Sequence, residues 1–211
     1  MYNYIKFDWK NTIQGLNENK FINLAFCLQG SYRNNHYHSQ IHAADVVQSM
    51  CYMIQTCDVK TLCQLSDYEI FMTILSAAAH DMDHPGTNNL FETKCKSKLS
   101  ILYNDQAVLE QHHAASFYFM LENVKHDCNI MSDLPKKETL DGRKLILENI
   151  LGTDMSKHGV VQSEMKAISE LPEEERLLDT KNKNTFLKAL VHAADVGNPT
   201  RPFSIAKPWG V

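Results

Sequence analysis

Glycine and proline are scarce, 8 and 6 residues in a chain of 211. Residues 31–84 and 87–134 contain neither. The frequent tight turns of sandwiches and barrels therefore have nothing to build them, and helices become the default. A basic excess is missing as well. Lys and Arg number 21 against 25 Asp and Glu, a net charge of −4. That leaves no surplus of cations to neutralise a phosphate backbone and argues against a nucleic-acid partner. The longest uncharged apolar run, Ile70 to Ala79, falls well short of the roughly 20 residues of a transmembrane segment. The first residues, Met1 to Trp9, show no apolar core of a secretion signal. The six cysteines form no CxxC pair and none follows Cys128, so their spacing spells neither a disulfide framework nor a zinc ribbon. A reduced, soluble, cytoplasmic protein is the expectation.

What is present is an ordinary globular composition, 44% hydrophobic and 22% charged, in a chain long enough to bury a core. The ten histidines exceed what a core requires. Helical periodicity recurs: Phe21, Leu24, Ala25 and Leu28 follow it, as do Ile41, Ala44, Val47 and Met50. Ser66 with Glu69 is a capping-box pattern, opening a helix that runs through Phe71 and Leu75 to about His80 before Pro85-Gly86. Asn104 or Asp105 is placed to cap a helix reaching about Glu122. Further helices are marked by Leu145 to Leu151, by Glu164 to Ile168 and by Phe186 to Ala194. No stretch alternates with period two. The pattern reads as all-α, with about seven to nine helices and no internal linker. His-Ala-Ala-Asp occurs twice, at 42–45 and 192–195, and without flanking similarity is read as coincidence on two helical faces.

Histidine and carboxylate concentrate in four segments: His36/His38/His42, His80-Asp81-Met82-Asp83-His84, Glu110/His112/His113 and His192/Asp195. A single helical histidine is more often a hydrogen-bonded core or surface residue than a ligand. His80-Asp81 stands apart because it follows the small residues Ser76 to Ala79, where burying a carboxylate without a cation is costly. Together the segments describe a metal site. His38 and His42 project the same way if both are helical. Imidazole with carboxylate suits zinc, and a carboxylate reaching an oxygen-rich second position suits magnesium or manganese. Ligands drawn from distant helices would clamp a bundle interior, an arrangement that favours catalysis over stapling.

The run Tyr37-His38-Ser39-Gln40-Ile41-His42-Ala43-Ala44-Asp45-Val46 resembles the histidine signature of the class I cyclic-nucleotide phosphodiesterases. His80-Asp81-Met82-Asp83-His84-Pro85-Gly86 with Asn89 resembles that family's HD segment. Tyr103-Asn104-Asp105 with Val108 to His113, Thr153-Asp154-Met155-Ser156-Lys157-His158, and Ala194-Asp195-Val196-Gly197-Asn198-Pro199 continue the series in order. The resemblance implies an HD-type phosphodiesterase helical bundle, missing its C-terminal helices, with residues 1–16 as a lead-in and 17–211 as a partial catalytic domain. It implies His42, His80, Asp81 and Asp195 as ligands of a tight zinc, with Asp81 bridging to a weaker magnesium or manganese. It further implies His38 as general acid and Glu110 as its orienting carboxylate. His84, Asn89, His112, Thr153, Asp154 and Asn198 fall to supporting or substrate-binding places, and His192 receives no role.

Hydrolysis of a 3′,5′-cyclic nucleotide, cyclic AMP or cyclic GMP, to the 5′-monophosphate agrees with those roles. A water shared by two cations would be hydroxide near neutral pH, and a protonated His38 would supply the proton that the departing 3′-oxygen needs. Four positions depart from the family pattern: Ser39 stands for Asn, Ala107 for Ser, Gly152 for Ala and Gly197 for Ser. The glutamine and phenylalanine that hold the base in the family lie beyond the matched segment. Two other readings compete: an inactive remnant or metal-binding helical module, and a more distant HD-type phosphohydrolase.

Overall fold

The computed structural model describes residues 7–176 and 179–210. Among them, seven helices exceed eleven residues: α1 (Glu18–Gly30), α2 (Gln40–Thr56), α3 (Asp67–Ala79), α4 (Val108–Glu122), α5 (Lys136–Leu151), α6 (His158–Ser169) and α7 (Thr180–Asp195). Five helices of four to six residues lie between or beside them, and no strand occurs among the described residues.

α3 is the axle. The capping box at its start is complete: Ser66 Oγ accepts from the Glu69 N–H and the Glu69 carboxylate returns to the Ser66 N–H. Residues Ile70 to Ala77 are all buried, so the helix is apolar around its whole circumference, as an interior helix must be. The two polar residues of this buried stretch bond to the helix itself, Thr73 to the Glu69 carbonyl and Ser76 to the Met72 carbonyl. α2 and α5 pack on α3, and α7 closes against α2, α5 and α3. Residues 7–16 join this core. Trp9, 2% exposed, meets Phe71 edge-on at 4.8 Å, and Ile13 is buried beside it.

Three sequence expectations shift. The buried stripe of α2 is His42, Ala43, Val46 and Met50, whereas Ile41 is 66% exposed and Ala44 faces outward. Turning His42 inward rotates the helix away from the register its apolar residues suggest. Asn104 and Asp105 do not cap α4. Both adopt left-handed backbone, φ +53° and +60°, which makes them a turn, and the helix begins at Val108. α6 is longer than its apolar residues indicate, because it starts at His158 directly after a 3₁₀ turn. No helix is long and apolar enough to cross a membrane among the described residues.

Candidate metal centre

Three helix ends bring His42, His80, Asp81 and Asp195 together. Ser39 caps α2, its hydroxyl accepting from the Ile41 N–H at 3.3 Å, and His42 sits in the first turn that follows. Serine and asparagine are near-equal caps, so the departure at position 39 preserves the helix start. His80 is the residue at which α3 ends, and Asp81 follows it. Asp195 is the last residue of α7. Pairing across these ends is tight: His42 Nε2 lies 2.9 Å from Asp195 Oδ1 and 3.4 Å from Asp81 Oδ2. His80 Nε2 lies 3.2 Å from Asp81 Oδ2 and 3.3 Å from Asp195 Oδ1. A cation bound at about 2.1 Å spaces neighbouring ligands about 3.0 Å apart in an octahedron and about 3.4 Å in a tetrahedron. All four separations fall on such edges.

The proton inventory points the same way. His80 Nδ1 stands 2.8 Å from the Ala77 carbonyl, a contact that requires Nδ1 to carry the hydrogen and, in the neutral ring, leaves Nε2 a lone pair. That buried Nε2 has no hydrogen-bond partner, yet two carboxylate oxygens face it. Lone pair against carboxylate is repulsive unless a positive charge lies between them. Burial alone would lower the His80 pKa, but Asp81 and Asp195 outweigh it and hold it well above the usual value. Burial would likewise raise Asp195, but His80 and His42 draw it down to about 2. A pocket that favours positive charge in this way can hold a divalent cation, and two imidazoles with two carboxylates are donors such an ion takes.

Asp81 has a second face. Its Oδ1 lies 3.6 Å from Nε2 of His113, and Asp81, His84 and His113 form a second buried group of ligand atoms within 4.8 Å. Burial pushes His84 down to about 3 and His113 down to about 4, so both rings are neutral. His84 Nδ1 accepts from the Gly86 N–H at 3.0 Å, a turn that Gly86 permits with φ +88°. Of the adjacent pair His112-His113, it is His113 that faces Asp81; it lies three residues after Glu110 and shares its helix face. His112 instead bonds Asp83 at 2.8 Å, and Asp83 also takes a bidentate Arg33.

His38 lies outside α2, before the Ser39 cap, so it does not share a helical face with His42. Its ring stacks flat on His84 at 3.8 Å and meets the His42 ring edge-on at 6.0 Å. Burial lowers its pKa. Glu110 makes no hydrogen bond to His38; its carboxylate takes both contacts from Asn89 Nδ2, at 2.9 and 3.2 Å. Asn89 Oδ1 meanwhile accepts the Leu109 N–H at 2.9 Å. It thereby caps α4 from outside, at the helix start where Ala107 has no capping side chain and sits at φ +44°.

Thr153 and Asp154 are buried and bond locally, Thr153 to the Ile150 carbonyl and Asp154 to the Ser156 N–H. Asn198 donates to the Tyr37 hydroxyl at 2.9 Å, and the Tyr37 ring packs on His38, His42 and Trp209. The repeated tetrapeptide splits its labour. The first copy sends His42 to the centre and its Asp45 to Arg201, at 2.6 Å; the second sends Asp195 to the centre and its His192 to His158, at 2.8 Å.

A helical bundle with a His/Asp centre at three helix ends is the HD-type architecture of metal-dependent phosphohydrolases. Residues 37–211 match the family described as 3'5'-cyclic nucleotide phosphodiesterase, and the chain belongs to that family. It is 35% identical over 199 residues to the probable 3',5'-cyclic-AMP phosphodiesterase pde-4 of Caenorhabditis elegans, covering 92% of this chain and 29% of the relative. It is 40% identical over 181 residues to the dual specificity calcium/calmodulin-dependent 3',5'-cyclic nucleotide phosphodiesterase 1B of Bos taurus, covering 85% of this chain and 32% of the relative. The chain thus spans about a third of the length of these curated relatives. Among solved structures, the phosphodiesterase domain of Salpingoeca rosetta rhodopsin phosphodiesterase superposes with a TM-score of 0.84 at 26% identity, covering 98% of this chain and 59% of that one.

Proposed function

We propose that this chain supplies the metal-binding and proton-donating part of a cytoplasmic enzyme that hydrolyses a 3′,5′-cyclic nucleotide, cyclic AMP or cyclic GMP, to the 5′-monophosphate. The observation that carries the proposal is the set of four nitrogen–oxygen separations joining His42, His80, Asp81 and Asp195. His42, His80, Asp81 and Asp195 would hold a zinc ion, and the second face of Asp81 a magnesium or manganese ion. Bound together, the two ions supply charge neutralisation at the phosphoryl oxygens and a water acidified for attack.

The remaining work belongs to side chains. His38 donates a proton to the departing 3′-oxygen, since a sugar alkoxide leaves poorly without one. Burial favours its neutral form in the free protein, and an anionic phosphate beside the ring favours the charged form, so substrate arrival would load the acid. Orientation comes from the neutral His84 ring stacked against it. Glu110 contributes at one remove: through Asn89 it ties α4 to the segment that follows the HD turn. Tyr37 and Asn198 brace the opposite side of the His38–His42 pair.

The test is turnover of cyclic AMP and cyclic GMP by purified protein, with and without divalent metal. Metal-dependent release of the 5′-monophosphate is the expected result. A folded protein that holds zinc and turns over neither nucleotide would reduce it to a metal-binding helical module. Folded protein that takes up no metal would overturn the site itself.

A further inference from the structure

A second set of soft ligands meets away from these residues, and none of its members takes part in the chemistry above. Cys27 comes from α1; His126 and Cys128 come from the turn that follows α4. Their ligand atoms lie within 4.8 Å of one another. The α1 face is already pinned to this region at two places. Lys20 Nζ reaches Ser132 Oγ and Asp133 Oδ1, each at 2.8 Å, and Asn23 Nδ2 donates to the Asp127 carbonyl at 3.0 Å. Cys27 continues the same helical stripe at i, i+3 and i+7, so the backbone holds its thiol over the turn whether or not anything binds.

The surroundings favour a cation. The Met120 carbonyl, in the last turn of α4, faces both the Cys128 thiol at 3.5 Å and His126 Nδ1 at 3.3 Å. The end of a helix where carbonyls point outward carries partial negative charge. The hydrogen bonds now holding the His126 ring are long, 3.3 and 3.4 Å. His126 Nε2 has only the Asn123 amide at 3.4 Å, so the imidazole is free to turn a lone pair toward an ion. Cys128 is fully buried, with the Cys27 thiol beside it. Unpaired thiolates are costly in such a place, whereas two thiolates and a neutral imidazole around a divalent ion sum to zero charge.

We propose that Cys27, His126 and Cys128 form a second metal site that takes a thiophilic divalent ion, zinc by its ligand types. The ion would staple α1 to the turn after α4. Cys27 and His126 are only half-buried, so the fourth position opens toward solvent. The pattern is invisible to a search for CxxC pairs because its two sulfurs are far apart in the chain and only folding unites them.

Cobalt(II) tests the site apart from the His/Asp centre, because only a thiolate ligand gives a sulfur-to-cobalt charge-transfer absorption. Reduced, metal-free 211-residue protein titrated with cobalt should show that absorption. It should persist in Asp195→Ala and vanish in Cys27→Ser/Cys128→Ser, which should also bind about one zinc equivalent fewer. Should the double variant fold poorly by circular dichroism, His126→Ala, at a half-exposed position, should retain the fold and bind cobalt about tenfold or more weakly. Cobalt binding by the wild type without the charge-transfer absorption would overturn the site and leave the His/Asp centre untouched. So would absorption that survives the double variant, or a Cys27–Cys128 pair that oxidises to a disulfide and binds no cobalt after reduction.

Discussion

Replacing Asn89 by Ala removes two things at once: the acceptor that caps α4 at Leu109 and the amide that holds the Glu110 carboxylate. Loss of a helix cap costs about 1 kcal/mol. Hydrogen bonds to a buried charge are worth about 1.5–3 kcal/mol, but Asn89 and Glu110 are only partly buried, so about 1 kcal/mol is a fair share for that term. The sum, about 2 kcal/mol, lowers the melting temperature of a domain this size by roughly 4–8 °C. Asn89→Asp separates the two terms. An Asp keeps the cap acceptor but sets a second carboxylate against Glu110, whose pKa burial already raises. A carboxylate whose folded pKa lies above its unfolded one weakens the fold when ionised, and the loss disappears as pH falls through the folded value. The Asn89→Asp deficit should therefore be largest near neutral pH and shrink as pH falls into the range where carboxylates protonate, whereas Asn89→Ala should keep its cap deficit of about 1 kcal/mol throughout. Calorimetry or urea melts across that range read both. Melting of Asn89→Ala within about 0.5 kcal/mol of the parent would show that α4 does not depend on a cap from outside.

His38→Ala in an active form of the protein should lower turnover about a hundredfold or more with metal content unchanged, and a nitrophenyl ester, which needs no proton on departure, should recover much of the loss. Metal lost together with His38 would make that ring a ligand. Asp81→Ala should disturb both metal positions because its two oxygens face different groups, whereas Asp195→Ala should mainly loosen the zinc. Elemental analysis decides the pair, and equal losses from both variants would refute the division of Asp81.

The all-α architecture was legible because breakers are so few and the capping box at Ser66 so plain. The His80-Asp81 pair was legible because a charged group after four small residues has no bland explanation. The inward face of α2 is hidden for a related reason. Its apolar residues alone suggest that Ile41 and Ala44 point inward, but the requirement to deliver His42 to Asp195 turns the helix, and Ile41 is left exposed. Partnerships that cross between elements left no local trace. Nothing in the sequence shows that Asn89 caps α4 at Leu109 in place of Ala107, or that Glu110 bonds Asn89 and not His38. Cys27 and Cys128 could be counted in the sequence, but only the fold makes them neighbours.

The bond between His42 and Asp195 closes a loop of 153 residues, and this makes the centre a question of timing as well as chemistry. In the chain-entropy picture, a cross-link over that span removes about 5 kcal/mol of freedom from the unfolded chain, comparable to a long-range disulfide. An ion at this position would act as a removable tether between the early helix α2 and the late helix α7. During synthesis, His42, His80 and Asp81 leave the ribosome long before their fourth partner. If an ion binds these four side chains, incomplete chains hold it only loosely, and the full set comes together only after α7 has been made and packed. Metal capture would then mark the completion of folding, and a chain stalled before residue 195 would be left without it.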